Sequence, residues 1–541
     1  MTLSVFSKRT SFLSGVSILT LSALIVKVIG LCYRIPLLNY LGTEGMGYFN
    51  TAYELYALFC MIATAGLPVA MSVLISACEA EGRWGDAKRI YRVSLLLFSA
   101  IGVVGTILLW SLSRPLAQLL GNPLAAVCMR TISPTLFLIC LSSAVRGYFQ
   151  GRRNMLPTAL SQVIEAGGKL FLGLAFAAYA RGTGADLPIC AAYAVMGLTV
   201  GTGLSVLYLM IRKHVTATHG QDPGLLYTES PRPVLRPLLK TAIPVTLSAG
   251  VISLTKCIDL ALILRRLQSV GYTAAEANAL YGCYSTLAVP VFNILPSLTT
   301  SVALSAVPAL SAAFRKGKEG REELRKTSLS SLELTLTVAI PASLGIAVFA
   351  EDILALLFAG QPAAAAQAAP WLSCLGLSVP AACLITVTGA MLQAAGKANC
   401  SVISMMIGVV AKTLVAYVLM GMDGWGMAGV PVSSLVCDTV IVASNLFFVS
   451  RHASAMLPRL REGFSLAVIP IALSVGAIGG VKLLRYALGW QEITPLHTLG
   501  TVACVMCLYG AGLLLRFSFR SHVSIYKKKD SQHDQVNESG A

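Results

Sequence analysis

Long apolar runs separated by short polar segments extend along the whole chain. A membrane-spanning helix needs about 20 mostly apolar residues, and fourteen runs meet that requirement. They lie near 12–34, 48–77, 91–112, 126–147, 157–180, 188–211, 238–263, 280–310, 328–350, 367–392, 400–421, 427–449, 464–486 and 497–517. The longest polar stretches, a connector at 213–237 and a tail at 518–541, are too short for a soluble domain. The pattern predicts an all-α integral membrane protein with about fourteen transmembrane helices.

The composition of the 541-residue chain supports this prediction. Hydrophobic residues make up 56% of the chain and charged residues 12%, whereas globular domains have about 45–50% and about 25%. These values exclude a disordered protein, a secreted disulfide scaffold and an ordinary cytosolic enzyme. The formal net charge of +17 would suggest a nucleic-acid partner in a soluble protein, so the placement of the basic residues decides its meaning.

The basic residues fall mostly on one side of the membrane if the N-terminus is cytoplasmic and the fourteen spans alternate. Of the 41 basic residues, 29 then lie on the cytoplasmic side, eight on the outer side and four inside helices. Cytoplasmic loops of membrane proteins carry an excess of Lys and Arg. We therefore expect a multi-pass membrane protein with both termini cytoplasmic and no nucleic-acid partner. The first run, which no small-x-small cleavage site ends, is expected to remain as a helix.

The 14 cysteines lie mostly inside the apolar runs, which is typical of small buried residues and not of a disulfide framework. Cys504 and Cys507 form a CxxC pair, but the surrounding run is apolar and contains no His. We interpret this pair as packing residues and expect no metal site.

Short segments of the first half recur in the second half in the same order. TLSA begins at Thr20 and again at Thr246, and VAMS at Val69 matches VALS at Val302. Three more residues recur at a common offset of 243: Gln150, Ser161 and Lys169 match Gln393, Ser404 and Lys412.

This repeat predicts two six-helix lobes, at 1–212 and 238–450, related by an axis along the membrane normal. They would surround a central cavity, as in transporters with parallel repeats. Two extra helices within 451–517 follow the repeat.

Charged residues inside the predicted helices need an explanation, because each costs about 2.5–3.5 kcal/mol at the bilayer centre on insertion scales. Lys27 and Arg34 lie seven residues apart on the first helix, so both side chains point the same way. No acid lies on that helix. Their partner is therefore Glu54 on the second helix or an anionic substrate in the cavity.

Four of the other intramembrane charges form two pairs at helical spacing. Glu165 and Lys169 are four residues apart, and Lys256 and Asp259 three. Such pairs either stabilise the bundle as ion pairs or, for Lys256 and Asp259, line the cavity. Two more residues are structural or coupling candidates: Lys412 and Asp438.

Glycine and proline interrupt several predicted helices. Gly66 and Pro68 lie in the second, and Pro290 and Pro296 in the eighth. Proline removes a backbone hydrogen bond and bends a helix. These positions are hinge candidates, and the alternative is a static kink that serves packing.

Two stretches resemble a known family. One is VKVIGLCYRIPLLNYLGTEGMGYFNTAYELY from Val26, and the other is RGYFQGRRNMLPTALSQVIE from Arg146. They are similar to the polysaccharide-exporter branch of the multidrug/oligosaccharidyl-lipid/polysaccharide superfamily, in particular the stage V sporulation protein B group. The resemblance implies a flippase or exporter of an undecaprenyl-diphosphate-linked saccharide in the bacterial plasma membrane, with Lys27 and Arg34 matching basic positions of that group. We also expect a monomer.

One departure bears on the substrate. Related lipid II flippases have an arginine pair on the second helix, where this chain has Phe59, Cys60 and Met61. The resemblance therefore implies a cell-envelope saccharide, either a peptidoglycan precursor or a polysaccharide unit, without specifying lipid II.

Three other function classes fit the sequence less well. A multidrug and toxic-compound antiporter shares the architecture but usually places an acid on an early helix, where this chain has Lys27 and Arg34. A membrane glycosyltransferase or polymerase needs a large outer loop with acids or His, and the outer connectors are short. A scaffold would leave the intramembrane charges unused.

No phosphate-binding GxxxxGK[ST] motif is present, so we expect no cofactor. We expect transport to be coupled to H⁺, Na⁺ or the membrane potential.

Overall fold

The computed structural model describes residues 2–219, 232–487 and 497–514, and every regular element in these ranges is helical. This confirms the predicted all-α class. The predicted tail 518–541, and residues 220–231 of the predicted connector, lie outside the described residues. The helices are α1 Thr2–Thr64, α2 Leu67–Ala80, α3 Trp84–Ser111, α4 Ser113–Leu119, α5 Ala126–Gly151, α6 Leu156–Gly182, α7 Leu187–His219, α8 Arg232–Ser269, α9 Ala274–Cys283, α10 Val289–Arg315, α11 Arg321–Val348, α12 Ala350–Leu357, α13 Pro362–Ala394, α14 Ala398–Leu419, α15 Gly429–His452, α16 Leu460–Ala487 and α17 His497–Leu514.

Twelve helical stretches of the described chain are long and apolar enough to cross a membrane. One of them, Ile18–Ala80, covers residues 18–34 of the first predicted span and the whole of the second. α8 covers the seventh predicted span and is not among the twelve. Dividing the first stretch at its kink and adding α8 gives the fourteen predicted helices.

The kink in α1 occurs at Gly42, whose φ is +65° and ψ −179°. This left-handed backbone region favours glycine. A Cβ on Gly42 would meet no atom within 4 Å, so the backbone conformation, and not a lack of space, requires glycine here. The kink separates the predicted helices 1 and 2.

The chain breaks again at Gly66, between α1 and α2, where Pro68 occupies the first turn of α2. The Gly66 N–H donates to Thr246 Oγ1 on α8 at 3.2 Å, and a Cβ on Gly66 would overlap the carbonyl group of Ala242. The predicted interruption of the second span is therefore a real break. A π-helical turn, Tyr284–Ala288, precedes Pro290, and Pro296 lies inside α10. The hinge role of these four positions stays a prediction.

The described chain divides into two compact units. The first comprises 1–290 and 413–430, and the second 291–412 and 431–541. In the first unit, α8 and α9 pack against α1, and a core of large apolar residues includes Met71, Phe98 and Phe149. In the second unit, α11 packs against α13 and α16. The predicted lobes 1–212 and 238–450 are a different division of the chain and stay a prediction.

Two ion pairs of the second unit join residues that the alternating topology places on the same side. Arg325 and Glu462, both predicted cytoplasmic, approach to 3.2 Å. Asp352 and Arg485, both predicted on the outer side, approach to 2.9 Å. The pairs agree with the alternation of spans, because each stays at one end of the helices.

Candidate functional site

Arg34 on α1 is held by the π-helical turn of the first unit. Its Nη1 donates to the Ser285 carbonyl oxygen at 2.9 Å, and Glu54 lies within its electrostatic range. Asn50 Nδ2 donates to Ser285 Oγ and to Thr286 Oγ1, both at 2.8 Å. The side chains of Arg34 and Asn50 therefore both bind the π-helical turn Tyr284–Ala288.

A buried amide network fixes the position of that segment. Asn122 Nδ2 donates to Asn278 Oδ1 at 2.7 Å and to Thr51 Oγ1 at 3.0 Å. Asn278 Nδ2 donates to the Glu44 carbonyl oxygen at 2.8 Å. Buried amides left without partners would cost about 1–3 kcal/mol each, so these contacts hold α9, and the π-helical turn that follows it, against α1.

Lys169 on α6 lies among three aromatic rings of α1. Its Nζ is 4.5 Å from the ring centroid of Tyr53, 5.1 Å from that of Tyr33 and 5.8 Å from that of Phe49. The rings contact each other, with centroids 6.0 Å apart for Tyr33–Phe49 and 6.1 Å for Phe49–Tyr53. A desolvated cation–π contact is worth about 2 kcal/mol. We call these three rings and the Lys169 ammonium the aromatic cage.

Close packing of α6 on α7 positions Lys169. A Cβ on Gly168 would lie 2.5 Å from the Gly201 Cα, and a Cβ on Gly197 would overlap the Gly173 backbone. Small residues at such crossings let membrane helices approach closely. Tyr33 completes the contact, since its hydroxyl donates to the Ala194 carbonyl oxygen on α7 at 3.3 Å.

Glu165 forms its ion pair with Arg146 on α5, at 2.8 Å between Oε2 and Nη2. Arg146 also donates to Ser161 Oγ at 2.8 Å and to Ser205 Oγ at 3.1 Å. The side chains of Arg146 and Glu165 are only 12% and 19% exposed. The predicted pairing of Glu165 with Lys169 inside one helix is wrong, because Arg146 reaches the carboxylate from α5 while Lys169 faces the rings of α1.

The remaining candidates of the first unit differ in their surroundings. Lys27 is exposed, and it forms none of the hydrogen bonds or ion pairs observed in the described chain. On α8, Lys256 is exposed and Asp259 half-buried. The intervening Cys257 has its Sγ 3.6 Å from the Glu54 carbonyl oxygen, which places this part of α8 beside Glu54.

The second unit contains the remaining intramembrane pair. Asp438 on α15 interacts with Lys412 on α14 and with the hydroxyl of Ser378 on α13. This arrangement links three helices of the unit. The coupling role of the pair stays a prediction.

The sequence interpretation did not select the three cage residues or Arg146. The aromatic spacing of Phe49 and Tyr53, four residues apart, was a usable signal that this helix presents rings on one face. Arg146 lies at the end of an apolar run and is therefore one of the 29 basic residues that the sequence pattern assigns to the cytoplasmic side. All fourteen cysteines are free thiols, and within the described ranges no three His, Cys, Asp or Glu side chains cluster as metal ligands do.

The first unit contains two cations, Arg34 and Lys169, that bind anions in different ways. Arg34 and Lys169 are close enough to interact electrostatically, and neither has a carboxylate within 4 Å in the described chain. Arginine binds anions through a planar fork of donors, and lysine acts as a point charge. Chemically, the cluster is suited to attract an anionic group, and both side chains are half-buried.

Comparison with known proteins identifies the family. Residues 12–314 match the family model described as polysaccharide biosynthesis protein, which is more than half of the chain, and residues 284–418 match the MatE model.

Three relatives come from Bacillus subtilis (strain 168). The uncharacterized membrane protein YabM is 27% identical, over 90% of this chain and 88% of its own length. The lipid II flippase MurJ is 26% identical, over 89% and 90%. Stage V sporulation protein B is 24% identical, over 86% and 88%.

Solved structures show the same fold. The lipid II flippase MurJ in an inward closed conformation has a TM-score of 0.67 at 14% identity, covering 92% of this chain and 98% of its own. The inward-facing conformation of a multidrug resistance MATE family transporter has the same TM-score at 18% identity, covering 80% and 95%. The chain belongs to the polysaccharide biosynthesis protein family, within the MOP superfamily of membrane transporters.

Proposed function

We propose that the protein moves a lipid-linked saccharide, carried on an undecaprenyl-type diphosphate, across the bacterial plasma membrane by alternating access. The observation that carries the proposal is the pair of intramembrane cations, Arg34 and Lys169, held beside aromatic rings in the first unit. A diphosphate that leaves the headgroup layer loses hydration, which is costly. Charge-assisted contacts with Arg and Lys offset part of that cost.

The relatives support this substrate class. Two of them are named as a lipid II flippase and a stage V sporulation protein, and both align over most of this chain. The departure at Phe59, Cys60 and Met61 argues against transferring lipid II itself as the substrate. The proposal therefore names a lipid-linked cell-envelope saccharide and leaves the sugar open.

A drug or cation antiporter is the second candidate. It is favoured by the match of residues 284–418 to the MatE model and by the equal structural likeness to a MATE transporter. The charge of the site argues against it, because Arg34 and Lys169 repel a cationic drug and attract an anion.

The proposal includes an energy source and an orientation. Glu54 beside Arg34, Asp259 on α8 and Asp438 beside Lys412 are the acids through which an ion could be coupled to transport, and the membrane potential is the alternative source. The bias of basic residues supports an orientation with both termini in the cytoplasm, and we expect a monomer.

Depletion of the protein in its own host, followed by lipid extraction, tests the proposal. We expect one lipid-linked saccharide to accumulate, and a copy with Arg83→Gln to restore its normal level, because Arg83 lies in the exposed turn between α2 and α3. A copy with Arg34→Gln should fail to restore it. An unchanged lipid-linked saccharide pool, together with increased sensitivity to cationic drugs, would favour the antiporter instead.

A further inference from the structure

An open groove runs along α8 and the last turns of α14, within the first unit. Its volume is about 580 Å³, and its apolar walls include Ile258, Ala261, Leu262 and Tyr417. Ile258 is 37% exposed and Tyr417 53% exposed. The apolar pattern predicts that α8 and α14 cross the membrane, so we expect the groove to face hydrocarbon and to suit a lipid chain.

Two arginines close one end of the groove. Arg265 Nε donates to the Leu119 carbonyl oxygen at 2.5 Å, and its Nη2 to that of Gln118 at 3.1 Å. Arg266 Nε donates to the Tyr417 carbonyl oxygen at 3.0 Å, and its guanidinium stacks on the Tyr417 ring at 4.1 Å. Its Nη1 lies 3.3 Å from Ser269 Oγ.

All of these contacts are with neutral oxygens. A guanidinium has five N–H donors, and each arginine directs two of them to the neutral oxygens above. Among the ion pairs of the described residues, none involves Arg265 or Arg266. Two guanidinium groups that line one groove and are held in place by backbone carbonyls, with donors remaining, are suited to bind a phosphate or diphosphate through charge-assisted hydrogen bonds.

A second cavity, of about 460 Å³, follows directly beyond the arginines. It is lined by Tyr272, Glu276, Asp423 and Trp425. Tyr272 and Trp425 are 39% and 40% exposed. Glu276 Oε2 accepts the Thr273 N–H and hydroxyl, which fixes the carboxylate and leaves Oε1 available as an acceptor. Carboxylates accept hydrogen bonds from sugar hydroxyls, and aromatic faces pack on the apolar faces of a sugar ring.

The groove, the arginines and the cavity follow one another along the two chain segments that line them. One segment is the end of α8 and the turn after it, and the other is the end of α14 and the turn after it. On α8 the groove ends at Ser269 and the cavity begins at Val270. On the other side, Gly421 lies so close to Arg266 that a Cβ would overlap the guanidinium, and Met422 already lines the cavity. We call this continuous surface the rim strip.

We infer that the rim strip binds the lipid-linked saccharide, with its polyprenyl chain in the groove, its diphosphate on Arg265 and Arg266, and its first sugar against Tyr272 and Trp425. The identity of the ligand rests on the proposed function. The predicted topology places this end of α8 on the outer side, so the strip would hold the product after transport. An ordinary phospholipid would fill the groove and the arginines but leave the aromatic cavity unused.

Binding to the purified full-length protein tests the inference without requiring transport. The probe is a fifteen-carbon polyprenyl diphosphate carrying one hexosamine, and its bound fraction is measured by native mass spectrometry. We expect Arg265→Gln with Arg266→Gln to weaken binding at least tenfold. Ala261→Trp, which fills the groove and keeps both arginines, should weaken it similarly and covers the case in which the arginine variant does not fold. Arg114→Gln, at an exposed arginine of α4 outside the strip, should leave binding unchanged.

Further measurements separate the possible outcomes. Trp425→Ala should weaken binding of the sugar-bearing probe at least threefold and leave binding of the sugar-free polyprenyl diphosphate unchanged. Phosphatidylglycerol that displaces the probe at equal concentration would overturn the assignment, as would equal binding by wild type, the arginine variant and Ala261→Trp. Depletion and transport are measured separately from binding. A protein that transports the saccharide but does not bind the probe at the rim strip therefore contradicts only this inference. Binding without any transport contradicts the proposed function.

Discussion

The charge of Lys169 is costly to bury in a membrane protein, and it gives the first unit an attraction for anions. Its ammonium lies within the first unit, 4.5 Å from the centre of the Tyr53 ring, where a charge without compensation is expensive. Three rings supply part of the compensation, and they supply it without a carboxylate. The side chain therefore keeps an attraction for anions that a salt bridge would have neutralised.

Removing the ammonium should impair transport more than removing one phenolic hydroxyl. We expect Lys169→Met to lower the transport rate at least tenfold at equal protein level, because the anion loses one of two cations. Tyr53→Phe keeps the ring and should leave the rate within twofold of wild type, whereas Tyr53→Leu should lower it. Transport is measured with reconstituted protein, and a wild-type rate for Lys169→Met would remove the cage from the site.

Arg146 has a different role, which is structural. Its guanidinium contacts Glu165 and two serines at 2.8–3.1 Å, so Arg146→Ala leaves a buried carboxylate without its partner. Breaking a buried pair typically costs about 3–5 kcal/mol, and we expect a clearly lower thermal midpoint in detergent. Arg146→Met with Glu165→Leu should recover much of the loss, since no unpaired charge remains. A single variant as stable as wild type would contradict this interpretation.

At the scale of elements, backbone contact between α1 and α9 holds the segment that binds Arg34. A Cβ on Gly47 would overlap the Asn278 side chain, and a Cβ on Gly282 would overlap the Thr43 carbonyl oxygen. Both crossings lie next to the amide network of Asn122 and Asn278. Packing at this crossing therefore determines the position of Ser285, and with it the hydrogen bond to Arg34.

Gly47→Ala should destabilise the protein by about 1–3 kcal/mol, the usual cost of overpacking a close contact. Gly30→Ala on the same helix is the matched control, because a Cβ there would meet no atom within 4 Å. The control should have an unchanged or slightly higher thermal midpoint, since alanine is the better helix former. Equal midpoints for the two variants would show that the crossing tolerates a methyl group.

Part of this arrangement could be predicted from the sequence. The spans follow from bilayer thickness, and the break at Gly66 and Pro68 follows from backbone chemistry that is local to those residues. The partner of Glu165 could not be predicted, because Arg146 is on another helix and reaches the carboxylate only through the rotation of α5 against α6. The aromatic cage was missed for the same reason, since Tyr33 and Phe49 lie on opposite sides of the Gly42 kink.

At the scale of the whole molecule, the surface and the charge distribution agree with a multi-span membrane protein. Large apolar side chains such as Leu96, Phe171 and Leu483 are 72–73% exposed, which is unfavourable in water and favourable against lipid tails. The orientation rests on the distribution of Lys and Arg, and it decides whether the rim strip faces outward.

Accessibility of single cysteines checks the orientation. In a variant without the fourteen native cysteines, Lys318→Cys should react with a membrane-impermeant reagent only after the cells are permeabilised. Asp186→Cys, in the turn between α6 and α7, should react in intact cells. Reversed labelling of the two positions would invert the topology and place the rim strip on the cytoplasmic side.

The most direct measurement is transport by purified protein in liposomes. A lipid-linked saccharide is placed in the inner leaflet, and its appearance in the outer leaflet is followed with an added sugar-modifying enzyme. We predict that wild-type protein accelerates its appearance and that Arg34→Gln with Lys169→Met reduces the rate at least tenfold, while Arg83→Gln does not. A wild-type rate equal to that of protein-free liposomes, or an unimpaired double variant, would contradict a flippase that uses these cations.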